Sequence, residues 1–443
     1  MLRLNQIERV KMFFNRFNRL ISFLISHLKN VITHLISNNL NDQSIIKTML
    51  KCEKSALKFV GTINGYSTGS PPQKQLLKHK LLKGLVLIVL IRATFLVLIP
   101  STPDCELCNT ISLFLGDNTS CFPKRNLLAI MLLLAVICLS MMFTDCHRPF
   151  EKSTVSFFHI FTIIMSTSSI SNHLLDINLH SSQFQLRLLL KSMALFQTTC
   201  YMLSSGYVIF FFNGSFKCLP GQYLSLQTFC QIFWVVMNSI ATTTSIFSSI
   251  WFYFHALIYF LYILLRLKEL ILIEDSTQTN IASSRVYRIN WIAKCNAIFN
   301  NIESGNREIR SMALTTFSSL ALFINFTLFV CFIVGVDDPM VRWPILIPVT
   351  LSLIGIIIFV RILVVDANNK IDRLTLIIYR LARNSTKLTV KIKSLTTIDR
   401  LTTKPIGFYI GETFRIESLV LLKIIFENIT IFLLLIDAFK KQT

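Results

Sequence analysis

Long apolar runs alternate with polar, basic segments along the whole chain. Several runs exceed the ~18 mostly apolar residues that suggest a membrane span. They predict seven spans, at residues 84–100, 126–143, 190–212, within 226–265, 313–335, 344–365 and 418–438. The pattern therefore predicts an all-α membrane protein with seven transmembrane helices.

The apolar run at 226–265 is long enough for two spans, but there is no Gly or Pro between residues 222 and 304 to form a turn. One helix of about 60 Å fits better, and it would be about twice the ~30 Å thickness of the hydrocarbon core. We expect this fourth helix to project into the cytoplasm. Residues 155–171 are short and rich in Ser and Thr, so we interpret them as an interfacial or cytoplasmic helix.

Basic residues set the predicted orientation, because Lys and Arg collect on the cytoplasmic side of membrane proteins. Residues 1–83 hold 14 Lys or Arg and three acids, and residues 366–417 hold ten basic residues and five acids. The N-terminus is then cytoplasmic and the C-terminus extracellular. Apolar stretches in the N-terminal region suggest amphipathic helices on the membrane lipid.

Four segments follow from this orientation. We expect a basic cytoplasmic N-terminal region at 1–83 and a six-helix transmembrane bundle that binds ligand at 84–365. A cytoplasmic anchor segment at 366–417 and a last helix with a short tail at 418–443 follow. The bundle includes outer loops at 101–125 and 213–225 and a cytoplasmic segment at 266–312.

Composition agrees with a membrane protein: charged residues are 15% of the chain, against about 25% in a typical soluble protein. The net charge of +21 could suggest nucleic acid, but the orientation rule accounts for it, and we predict no nucleic-acid partner. Phosphate-loop, HExxH and GxSxG motifs are absent from the sequence. We therefore expect no enzyme activity, no cofactor and no metal.

The predicted outer loops carry cysteines and glycosylation sequons. Disulfides persist outside the cell, which makes Cys105, Cys108, Cys121 and Cys218 disulfide candidates, although the CxxC pair at 105 and 108 also occurs in zinc sites. The sequons at Asn118 and Asn213 predict a glycoprotein.

A polar stripe runs along the last predicted span. At about 100° per residue, its members fall within a sector of about 80°: Lys423, Glu427, Thr430, Leu434 and Asp437. Asn428 lies apart, at about 140° from Lys423. Charges facing lipid are costly, so the stripe either packs in a helix bundle as a Lys423–Glu427 pair or lines a water-filled pore. In a pore, Asp437 would favour cations and Leu434 would form an apolar constriction.

The end of the chain resembles the final helix of insect-type (arthropod) gustatory receptors. In that family F-x-I is followed by about fourteen mostly apolar residues, T-Y, five apolar residues and Q-F. Phe414, Ile416 and Thr430 match, whereas the positions of Tyr, Gln and Phe hold Ile431, Asp437 and Ala438, with Phe439 one residue late.

The resemblance implies a ligand-gated non-selective cation channel in the plasma membrane of a chemosensory neuron. Its last helices would surround a central pore in a homo- or hetero-tetramer, with Asp437 and Ala438 at the gate and filter. Cytoplasmic helix extensions would join the subunits. A small tastant would bind in the outer half of the bundle and open the pore to permeant cations.

Candidate ligand-binding residues include aromatic side chains near the outer ends of spans three and four: Tyr207, Phe210, Phe233 and Trp234. Aromatic residues there are also typical of packing or of the membrane interface. Arg92, near the middle of the first span, is a further candidate, because a charge within the membrane is costly. Arg92 could instead pair with Asp337 or Asp338.

Three alternatives remain open, and the first is a receptor-family member that binds no small molecule and only assembles with other chains. A G-protein-coupled or other seven-helix receptor would place its N-terminus outside, opposite to the charge bias. A non-channel transporter would show internal repeats and helices broken by Gly or Pro at the midplane; we see no internal repeat, and spans four and seven contain no Gly or Pro.

Overall fold

The computed structural model is almost entirely helical. It describes residues 42–58, 72–99, 106–117, 125–151, most of 187–198, 206, 226–277, 285–335, a few positions in 346–365, 366–403, 405–411 and 414–440. The 155–171 segment and most of the third and sixth predicted spans lie outside the described residues.

The described helices, in chain order, are α1 (Asp42–Lys58), α2 (Gln73–Leu98), α3 (Glu106–Phe114), α4 (Arg125–Glu151), α5 (Leu226–Thr277), α6 (Arg285–Phe329), α7 (Asp366–Asn384), α8 (Leu388–Thr403) and α9 (Ser418–Lys440). A π-helical turn, Val330–Gly335, extends α6. Two short strands, β1 (Tyr409–Ile410) and β2 (Phe414–Arg415), form an antiparallel hairpin between α8 and α9.

Helix α5 is a single rod of 52 residues, about 78 Å long. The prediction of one long helix rather than two spans is confirmed. Its middle turns carry buried Ser and Thr side chains, and Ser249 donates to the carbonyl of Ser245 at 2.7 Å. Because such hydroxyls are satisfied within their own helix, neighbouring helices can approach this small-residue face closely.

Two described helices are long and apolar enough to cross a membrane, Gln73–Leu98 and Ala313–Ile333, and Arg125–Met141 is a shorter apolar helix. The observed helices extend past the predicted spans, since α2 begins at Gln73 rather than at 84 and α4 continues to Glu151 rather than ending at 143. The predicted outer loop at 101–125 also differs, because its residues 106–114 form α3.

The largest apolar core among the described residues lies along the C-terminal half of α5, its predicted cytoplasmic side, where α5, α6, α7 and α8 meet. Phe252, Tyr259 and Phe260 are almost completely buried there, and Phe260 contacts Phe408 of the segment before the hairpin. Trp291 of α6 donates its indole N–H to the carbonyl of Leu270 at 3.1 Å. The core therefore fixes the segment that precedes α9.

Asn368 of α7 binds the residues on either side of the hairpin. Its Nδ2 donates to the carbonyl of Ile416 at 2.8 Å, and its Oδ1 accepts from the backbone N–H of Phe408 at 2.9 Å. Gly411 turns the chain at φ +64° and donates its N–H to the carbonyl of Arg310 in α6 at 2.9 Å. Residues 405–417 thus fix where α9 begins.

Two thiols on the predicted cytoplasmic side are deeply buried. Burial raises the pKa of Cys52 to about 11. Burial, with a smaller contribution from the Glu274 carboxylate, raises the pKa of Cys295 well above its usual value. Both thiols therefore stay protonated and unreactive at neutral pH.

The contact between α5 and α6 allows no side chain at Gly305. A Cβ at this position would overlap the hydroxyl of Tyr259, which donates to the carbonyl of Asn301 at 2.6 Å. We expect Gly305→Ala to lower the free energy of unfolding by about 1–3 kcal/mol, as overpacking does. The melting temperature of the detergent-solubilised protein would measure the loss.

Gly84→Ala is the matched control, because a Cβ at Gly84 meets nothing within 4 Å. Replacing a helical Gly by Ala is favourable by about 0.8–1.0 kcal/mol. Equal melting temperatures for the two variants would contradict the tight α5–α6 contact.

Candidate pore helix and outer cap

The five stripe residues of α9 are all exposed in the single chain. Side-chain exposure is 64% for Lys423 and 60% for Glu427, and their charged groups lie 3.9 Å apart. Leu434 is 62% exposed, and the Thr430 hydroxyl donates to the carbonyl of Phe426. The stripe therefore does not pack inside the bundle of its own chain.

The opposite face of α9 holds the helix against the bundle. Asn428 accepts a hydrogen bond of 2.8 Å from Nδ2 of Asn325 in α6. Phe432, Leu435 and Ile436 pack in an apolar cluster with residues of α4, α6 and the π-helical turn. Asn428 lies about 140° from Lys423 around the helix, so packing on this side turns the stripe away from the chain.

Two observations together limit the kinds of environment in which the stripe would be stable. Its charged groups would be costly in hydrocarbon, while its flanks carry exposed apolar side chains such as Phe426 and Leu433. A water-filled space enclosed by several copies of α9 satisfies both requirements, because the polar sector faces water and the apolar flanks face neighbouring helices.

Arg92 of α2 lies under a segment formed by α3 and residues 115–117, which we call the outer cap because it belongs to the predicted outer loop at 101–125. Its side chain is almost fully buried and donates to the carbonyls of Leu115 and Gly116, at 2.7 Å each. These carbonyls follow the end of α3, where a cation is favourable. Arg92 also lies 5.1 Å from the ring centre of Trp234, a cation–π contact.

Trp234 of α5 closes the other side of the cap. Its indole N–H donates to the carbonyl of Phe114 at 2.9 Å, and Phe233 contacts its ring edge-on. Gly116 has φ +57°, and a Cβ there would lie 3.0 Å from the Trp234 ring. Glycine is therefore required by both the backbone conformation and the close approach.

An ion pair fastens the cap to α4. Arg125 contacts Asp117 at 2.5 Å, with both side chains nearly buried, and donates to the carbonyl of Ile99 at 3.2 Å. Arg92, Trp234 and Arg125 thus join α2, α5 and α4 to one short outer segment.

Among the ligand candidates, the structure brings Arg92, Phe233 and Trp234 together, whereas Tyr207 and Phe210 lie outside the described residues. So do Asp337 and Asp338, the suggested partners of Arg92. Cys108 is disulfide-bonded, but Cys105, Cys121 and Cys218 are not described, and neither are Asn118 and Asn213. Ala438 follows Asp437 within α9.

Sequence reasoning missed two sets of contacts. The cap residues Gly116, Asp117 and Arg125 were part of a presumed loop, although a Gly-Asp pair does mark a turn. The helical angles place Asn428 apart from the stripe but do not predict its hydrogen bond to Asn325. Its position opposite the stripe is the feature of the sequence that indicates a face directed toward the bundle.

Comparison with known proteins gives a fold-level result. No protein-family model matches the chain, and no curated protein matches its sequence. The structure of the insect olfactory receptor OR5 from Machilis hrabei in complex with eugenol aligns with a TM-score of 0.52 and 13% identity, covering 81% of this chain and 98% of the receptor. OR5 without that ligand aligns over the same shares at 13% identity, with a TM-score of 0.47.

The chain therefore has the fold of a seven-transmembrane-helix receptor of this kind, as predicted. At 13% identity, the likeness concerns the fold alone.

We expect Arg92→Gln to loosen the outer cap. The Leu115 and Gly116 carbonyls would lose their donors in a buried setting, at a cost of about 1–3 kcal/mol for each unsatisfied group. A lower melting temperature and faster chymotrypsin cleavage at Phe114 and Leu115 would report the change.

Lys80→Gln is the control, because Lys80 carries the same charge on the same helix but is exposed. If both variants resisted chymotrypsin equally, Arg92 would not hold the cap.

Proposed function

We propose that this chain is a subunit of a ligand-gated, non-selective cation channel that serves as a gustatory or related chemosensory receptor. One observation carries the proposal: the packing of α9 turns its charged stripe away from the bundle. The fold similarity to an insect olfactory receptor supports a chemosensory role. The proposed cellular location is the plasma membrane of a chemosensory neuron.

In an assembly with α9 from each subunit around a central axis, the stripes would meet at the pore. Asp437 is exposed near the end of α9, and copies of it would form an acidic ring that concentrates cations. Leu434, one turn away, would narrow the path as an apolar constriction. With the Ala438 position beside it, this end of α9 is the proposed gate and filter.

The outer cap lies on the same predicted extracellular side as the C-terminal end of α9, and it supports a ligand role for this side of the bundle. Arg92 and Trp234 offer a cation and an aromatic face, and Phe233 beside them is 46% exposed. A small tastant that contacts Phe233 and the Trp234 ring would bind next to the contacts that hold α2, α4 and α5 together. Ligand binding could then change how these helices pack.

Asp437 provides the direct test of the pore. We expect Asp437→Asn to weaken divalent-cation block of the ligand-evoked current and Asp437→Lys to shift the reversal potential away from cation selectivity. A charge acting at close range through water contributes about 1 kcal/mol, or about a fivefold change in block. Whole-cell recording with a panel of sugars, bitter compounds and amines would supply the current.

Asp399→Asn is the matched control, since Asp399 is an exposed acid of α8 outside α9. Unchanged block and reversal potential in both Asp437 variants would overturn the assignment of Asp437 to the pore.

An apolar stripe on α8 supports assembly of several subunits. Leu388, Ile392 and Leu395 recur at helical spacing and are 71%, 52% and 49% exposed. This stripe belongs to the proposed cytoplasmic anchor segment, where no lipid would cover it, so a second copy of the chain is the fitting occupant. The proposed assembly is a tetramer, formed by this chain alone or with related chains.

We expect the double substitution Leu388→Ser and Ile392→Ser to shift the solubilised protein from tetramer toward monomer, because each buried Leu or Ile contributes about 1.5–3 kcal/mol to an apolar contact. Size-exclusion chromatography with light scattering would measure the mass.

Val286→Ser is the control, as Val286 is 65% exposed near the start of α6 and lies outside the α8 stripe. A tetramer that persists in the double variant would exclude the α8 stripe as a subunit contact.

A further inference from the structure

A second feature of the fold lies away from both α9 and the outer cap. A groove of about 950 Å³ runs between α5, the first two turns of α7, and Leu188 and Ser192. Its two main walls have different chemistry, and this difference indicates what the groove could hold.

The α5 wall is apolar apart from Lys268. Leu261, Leu264, Leu265 and Leu272 line the groove, and their spacing of three, four and seven residues places them on one face of the helix. Leu188 adds a further apolar side chain, 39% exposed, from the facing segment. This wall suits hydrocarbon.

The other wall is polar and basic. Asp366, Lys370 and Arg373 of α7 line it at i, i+4 and i+7. Lys268, on the α5 face of the groove, adds a further cation. Lys370 contacts Asp366 at 2.6 Å. Together the three cations and one acid give the groove an excess of two positive charges.

The position of the groove fits the inner membrane boundary. The predicted third span begins at residue 190, beside Leu188 and Ser192, and the predicted sixth span ends at residue 365, immediately before Asp366. Both spans meet the groove at their predicted cytoplasmic ends. An occupant here could reach both the acyl chains and the headgroups of the inner leaflet.

We propose that this groove binds an anionic phospholipid of the inner leaflet, with its phosphate groups on Lys268, Lys370 and Arg373 and part of an acyl chain on the α5 leucines. Charge complementarity selects the headgroup, and the apolar wall selects a lipid over a soluble phosphate. The site is independent of ion conduction, and it would persist in a chain that carried no current.

Titration of the purified full-length protein, followed by native mass spectrometry, would test the site. The probes are phosphatidylinositol 4,5-bisphosphate, phosphatidylcholine with the same acyl chains, and inositol 1,4,5-trisphosphate without chains. We expect the anionic lipid to bind most tightly. Lys268→Gln with Arg373→Gln should weaken it about 30-fold, because each basic residue near anionic lipid contributes about 1 kcal/mol.

The matched control is Arg383→Gln with Lys391→Gln, two exposed basic residues that do not line the groove, and it should bind the lipid as the unmodified chain does. Leu272→Ser, at a position 40% exposed, should weaken binding of the lipid but not binding of inositol trisphosphate. Equal binding of phosphatidylcholine, equal losses in the two double variants, or equal binding of inositol trisphosphate and the lipid would each overturn the proposal.

Discussion

The uninterrupted course of α5 is the constraint on which the rest of the described structure depends. One helix contacts the outer cap through Trp234, the transmembrane helices in its middle turns, and the inner core through Tyr259 and Leu270. Sharp helix bends need Pro, Gly or an inserted group, and α5 contains neither residue. A displacement of its outer end therefore moves its inner contacts as well.

Helix α9 has two faces with different roles, one packed against the bundle and one that carries the charged stripe. The Asn325–Asn428 hydrogen bond and the aliphatic and aromatic residues around Phe432 attach one face to the bundle, while the charged stripe occupies the other. An amide pair between membrane helices contributes only about 0.6–2 kcal/mol. It nevertheless fixes the rotation of the helix, because turning α9 would leave both amides unsatisfied in apolar surroundings.

Sequence patterns predict the features of this structure that depend on local periodicity, but they do not predict its long-range contacts. The absence of Gly and Pro predicted the single long α5, and helical angles placed the five stripe residues on one face of α9, because both follow from local periodicity. The Arg92 contacts depend on backbone carbonyls 23 and 24 residues away, and no periodicity encodes such a contact. The groove at Lys268 and Arg373 likewise joins residues that are more than a hundred positions apart.

Helix α4 connects the outer cap directly to α9. Arg125, at its first residue, holds Asp117 of the cap, and Leu128 and Met131, one to two turns further on, share the apolar cluster that contains Phe432, Leu435 and Ile436 of α9. Closely packed side chains transmit displacement because they leave little space to absorb it. A ligand that altered the cap would therefore act on the face of α9 opposite the stripe. Rotation or tilt of α9 on this cluster would reposition Leu434 and Asp437 without breaking any helix.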